Sequence, residues 1–131
     1  MTGAHARFRD LTLGAFVDEL ASAQPVPGGG SASAVAASLA AGLVAMVAAL
    51  SVGRPKYADY AGTHAEAAAR SSALKDRLLD LADEDSAAYA DFAAALKLPK
   101  ETEAEQAARK TALRAAARTA ANVPLACVEA C

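Results

Sequence analysis

The chain has 131 residues and a formal net charge of −2, its 13 lysines and arginines scattered among 15 aspartates and glutamates. That is one domain of ordinary size, 1–131, without the basic footprint of a nucleic-acid binder. Hydrophobic residues reach 54% while aromatics are only 5% and Trp is absent, so the apolarity is mostly alanine, the strongest helix former, and closely packed helices are expected.

The first helix signal is Thr12 as N-cap, with Phe16, Val17 and Leu20 following on one side of LGAFVDELAS. The helix should stop before Pro25. PVPGGG comes next, stiff at its prolines and loose at its glycines, and Ser31 or Ser33 is placed to cap a second helix. From Ser31 to Val52 there is no charge, and the length would cross a bilayer. At about 100° per residue, Val35, Leu39, Leu43, Met46 and Leu50 form one stripe and Ser31, Ser38, Gly42, Ala45 and Ala49 a neighbouring small one. Alanine and serine are poor lipid-facing residues, and no aromatic belt or basic flank precedes the segment, which favours a buried central helix of a bundle over a membrane span.

Gly53-Arg54-Pro55 ends that helix, and a long helical pattern runs from about Lys56 to Leu96. Leu74, Leu78, Leu81, Tyr89, Phe92 and Leu96 share a face with Asp85 in its middle; Asp76, Asp80, Asp83, Glu84 and Asp91 fall on a solvated face. After Leu98-Pro99-Lys100, Thr102-x-x-Glu105 has the form of a capping box opening a helix to about Ala121, and Asn122-Val123-Pro124 interrupts it before LACVEAC starts another. No alternating strand pattern appears, so the fold class is all-α. Cys127 and Cys131 lack a CxxC or Cys/His partner set and read as small buried thiols. MTGAHARFRD lacks the layout of a signal peptide, and a cytoplasmic location is expected.

The glycine run carries neither GxxxxGK nor a strand-preceded GxGxxG, so nucleotide-loop readings fail. What remains is either a plain connector or a loop whose free amides at a helix N-terminus suit a carboxylate or polar ring edge; one glycine, not three, would make the turn. An inward Asp85 is either a proton-transfer group or a buried aspartate bonded to a neighbouring helix, with Arg109, Arg114 or Arg118 as candidate partner. Lys56 and Lys100 follow prolines near helix starts and are candidates to bind an acidic substrate. His64 and His5 are candidate general bases by residue type but lack a second histidine or a nucleophile set, and Tyr57 and Tyr60 read as packing or pocket wall.

Taken in order, Pro27-Gly28-Gly29-Gly30-Ser31, Gly53 to Tyr57, Asp85 with Ser86 and Tyr89, Leu98-Pro99-Lys100, Arg109 and Val123-Pro124-Leu125 resemble the formimidoyltetrahydrofolate cyclodeaminase/methenyltetrahydrofolate cyclohydrolase family across nearly the whole chain. The resemblance implies an all-α bundle working as a homodimer or larger homo-oligomer on folate one-carbon units, with a tetrahydrofolate derivative as substrate, no separate cofactor, no metal, and neither nucleic acid nor membrane as partner. It implies a methenyltetrahydrofolate cyclohydrolase first, the cyclodeaminase as alternative, and a non-catalytic helical binding or assembly module as a third reading. Asp85 would move protons, Pro27 to Ser31 would hold folate, and Lys56, Tyr57, Lys100 and Arg109 would contact substrate or orient the carboxylate. Family domains continue with helices beyond the Val-Pro-Leu segment, whereas this chain stops at Cys131.

Overall fold

The computed structural model describes residues 6–131, so His5 lies outside the described residues. Four α-helices follow in order: α1 (Leu13–Leu20), α2 (Gly29–Ser51), α3 (Ala61–Leu96) and α4 (Glu103–Ala130), with 3-10 turns at Phe8–Asp10 and Pro55–Tyr60. No strand occurs among the described residues, and α3 is the central element, packed against both α2 and α4.

Local signals set most helix starts. Thr12 Oγ1 accepts from Ala15 N at 3.1 Å, and Thr102 with Glu105 forms the full capping box that opens α4. At α2 the expected serine cap is replaced: the helix begins two residues before Ser31, with Gly28 as N-cap and its carbonyl accepting from Ala32 N at 3.0 Å. An earlier start frees the Ser31 hydroxyl for another element. Gly53, at φ 71°, takes the left-handed conformation that turns the chain out of α2. The expected break at Asn122-Val123-Pro124 does not occur, and α4 runs through Pro124. Losing one ladder bond there is outweighed by packing, because Val123, Ala126, Cys127 and Ala130 all lie against the core.

That core is Ala34, Leu78, Leu81 and Ala82, contributed by α2 and α3. The small stripe of α2 faces α3, through Ser31, Ala34, Ser38 and Ala48 rather than Ala49, and small side chains let the two backbones approach. Within the single chain the large stripe is not covered: Leu39 is 64% exposed, Leu43 60% and Leu50 57%. α2 is thus buried along one face. Its 23 residues, with a mean hydropathy of 2.1 over an 18-residue window, also meet the length and composition needed to cross a bilayer. In α1 only Phe16 is buried, while Val17 and Leu20 point outward.

The acidic face of α3 is not simply solvated. Phe8 N donates to Asp83 Oδ1 at 2.8 Å, Arg7 pairs with Asp80 and Asp83, and Arg9 pairs with Asp80 at 3.3 Å. Hydrogen bonding to Asp83, with the charges of Asp80, Asp83 and Asp10, holds the Arg7 guanidinium above its already high range. An edge-on contact between Phe8 and Phe16, centroids 5.4 Å apart, completes the clasp of the segment before α1 onto α3.

Candidate active site

Glycine loop and Asp85 meet. Pro27 is buried after a cis Val26–Pro27 bond, and Gly28 to Ser31 carry the chain into the first turn of α2, where amide N–H groups have no partner within the helix. Asp85, half-buried on α3, lies directly against this turn. A Cβ on Gly30 would fall within 3.0 Å of three Asp85 carboxyl atoms, 2.5 Å from Oδ2 in particular, so glycine is what lets the carboxyl sit there. Ser31 Oγ donates towards Ala82 O at 2.9 Å and Asp85 Oδ2 at 3.1 Å, and Ser86 Oγ lies 3.1 Å away. Ser31 is 0% exposed, so its hydroxyl serves α3 and is out of reach of a bound molecule.

Among the described residues no lysine or arginine makes an ion pair with Asp85. Its partner is a hydroxyl rather than Arg109, Arg114 or Arg118, because Arg109 Nη2 is turned to Leu96 O at 3.2 Å. Burial pushes the Cys127 thiol up from its ordinary value, and the neighbouring Cys131 and the charge of Asp85 add to it. Cys131 is exposed, which corrects the reading of both thiols as buried.

The remaining candidates fall into two other places. Lys100 and Arg109 line one cleft with Phe92, Gln106, Lys110 and Arg114, where Arg109 Nε is buried without a hydrogen-bond partner. Tyr57 and His64 line another with Arg54, their rings 6.0 Å apart edge-on, and Lys56 Nζ stands 5.6 Å from the Tyr57 ring centre. Tyr60 is 62% exposed and walls neither cleft. A third cleft of about 360 Å³ adjoins the Asp85 cluster, bounded by Ser86, Val26, Asp83, Arg7 and Phe8. Sequence reading passed over Arg7 and Phe8; the basic-aromatic alternation of RFR opposite the carboxylates of α3 was the available signal.

The sequence model described as formiminotransferase-cyclodeaminase matches residues 12–131, all but the first 11 residues of the chain. The chain belongs to this family. It is 38% identical over 120 residues to the methenyltetrahydrofolate cyclohydrolase of Methylorubrum extorquens, a match covering 92% of the chain and 58% of that protein. Formimidoyltransferase-cyclodeaminase of Rattus norvegicus is 36% identical over 124 residues, covering 95% of the chain and 23% of the rat protein. The crystal structure of formiminotetrahydrofolate cyclodeaminase from Thermotoga maritima superposes with a TM-score of 0.79 at 28% identity, covering 93% of the chain and 57% of that structure. This family member thus spans a little over half the length of the cyclohydrolase and of the solved cyclodeaminase.

Proposed function

We propose that the chain is the substrate-handling part of a folate one-carbon enzyme, with methenyltetrahydrofolate cyclohydrolase as its reaction. The observation that carries this reading is the contact of the glycine loop at the α2 N-terminus with the Asp85 carboxyl. Unpaired amides of the first α2 turn donate to acceptor atoms on the polar edge of the folate ring, while a carboxylate beside them offsets the positive charge of the N5,N10-methenyl bridge. Water adds to the bridge carbon as Asp85 takes its proton, giving a neutral tetrahedral carbon that bears a hydroxyl. Asp85 then returns the proton to the departing nitrogen, the carbon–nitrogen bond breaks, and the hydroxyl proton is released as the formyl carbonyl forms. One proton leaves overall. Lys100 and Arg109 lie in a cationic cleft suited to the carboxylates of the folate tail, whereas Lys56 and Tyr57, past the opposite end of α2 from the glycine loop, lie outside the reach of that substrate within one chain. A tetrahydrofolate derivative and water are the only small molecules this chemistry requires.

The cyclodeaminase reaction is the second reading, favoured by the names of the rat and Thermotoga maritima relatives. There N10 attacks a formimino carbon on N5, and the same carboxyl passes a proton to departing ammonia. We also propose that the chain works as a homodimer in the cytoplasm; the exposed Leu39, Leu43 and Leu50 face of α2 supports self-association.

Purified chain mixed with methenyltetrahydrofolate should speed the decay of its absorbance, and Asp85→Asn should remove the acceleration. Folded protein that leaves the buffer rate unchanged refutes the cyclohydrolase reading, and release of ammonia from the formimino substrate would replace it with the second.

A further inference from the structure

Ser31 and Ser38 lie on the same α2 face against α3, yet their hydroxyls have different surroundings. Ser38 Oγ donates to Lys75 O at 2.7 Å, one proton to one acceptor. Ser31 Oγ has one proton and three oxygen neighbours: Ala82 O at 2.9 Å, Asp85 Oδ2 at 3.1 Å and Ser86 Oγ at 3.1 Å. A hydroxyl supplies a single donor and two acceptor lone pairs, so the direction of its proton depends on which neighbour already carries one. With Asp85 ionised, the Ser31 proton goes to Oδ2, and Ala82 O keeps the helical donor of its own ladder. With Asp85 protonated on its other oxygen, Oδ1, which lies against the Gly30 turn, Oδ2 still accepts the Ser31 proton. Ser86 Oγ is within hydrogen-bond distance of Ser31 Oγ in either state. The Ser31–Asp85 bond is kept when Asp85 gains or loses a proton, and no heavy atom has to move.

We propose that Ser31 is a positioning residue for Asp85, a buried hydroxyl that holds the carboxyl in one orientation in both of its protonation states. This rests on the reading of Asp85 as the proton-transfer group. Being 0% exposed, Ser31 acts on turnover through Asp85 and not by touching substrate.

The test is methenyltetrahydrofolate hydrolysis by the purified chain across a pH series. Ser31→Ala should lower kcat about tenfold or more, the size expected for a lost hydrogen bond to a charged group, and leave KM within about twofold. Its kcat–pH profile should change shape, and Ser31→Thr, which keeps the hydroxyl, should recover most of the rate. Ser38→Ala removes a comparable bond between the same helices and should leave kcat and the profile as in the parent. If wild type depends on Asp85 but Ser31→Ala turns over with parental kcat and profile, the role of Ser31 is overturned alone. Equal loss of kcat in Ser31→Ala and Ser38→Ala also overturns it, since the bond would then act only through stability. Wild type without Asp85-dependent activity overturns the underlying reading instead.

Discussion

Gly30→Ala sets helix stability against the geometry of the site. Alanine is the better helix residue, worth about 0.5–1 kcal/mol at an unobstructed position. At Gly30, however, the new methyl would stand 2.5 Å from Asp85 Oδ2. Ordinary contact begins near 3.4 Å, so the carboxyl must withdraw by roughly 1 Å, or α2 must lift from α3. Overpacking of that kind costs about 1–3 kcal/mol. The net effect is a loss of about 0–2 kcal/mol, a fall in Tm of no more than about 10 °C. Activity suffers far more, since a displacement of about 1 Å at a reacting group costs on the order of a hundredfold. Thermal unfolding by circular dichroism and decay of methenyltetrahydrofolate absorbance measure the two effects on one preparation. Gly42→Ala is the control: nothing lies within 4 Å of its added methyl, so Tm should rise with the rate unchanged. Removing the clash from the other side, in the Gly30→Ala/Asp85→Ala double variant, should restore Tm but not activity. A Gly30→Ala protein with parental Tm and full activity would refute the close packing of loop and carboxyl.

Burial holds the Cys127 thiol above its ordinary value, so less of it is thiolate at neutral pH, and Cys131 is exposed. Iodoacetamide at pH 7 should therefore modify Cys131 first, with Cys127 reacting only as the pH is raised, an order that peptide mass spectrometry reads directly. Leu43→Asp places a charge on the uncovered face of α2, where Leu43 is 60% exposed. The variant should fold with little change in Tm and sediment as a monomer where the parent is a dimer; a monomeric parent would refute the homodimer proposal.

Much of the helical layout was legible locally. Thr12 and the Thr102–Glu105 pair marked helix starts because a cap is made among residues three apart, and the lack of any alternating strand pattern pointed to an all-α fold. The small and large stripes of α2 were also visible as angular patterns. Pro124 misled because its local cost is met by packing of Val123 and Cys127 on residues far away in the chain. Ser31 misled for a related reason: as a cap it would have bonded within its own turn, and instead it bonds across the bundle.

The sequence by itself determined that the chain is helical, where three of its helices begin or end, that a glycine loop precedes an uncharged helix, and that its ordered motifs are those of the formiminotransferase-cyclodeaminase family. Tertiary structure decided which stripe of α2 faces α3, that Gly30 yields its Cβ space to Asp85, and that the carboxyl has a serine and not an arginine for partner. The division follows from range. Caps, turns and periodicity are energies among near neighbours, whereas Ser31 and Asp85 are 54 residues apart in the chain and meet only because α2 and α3 pack at the distance small side chains allow.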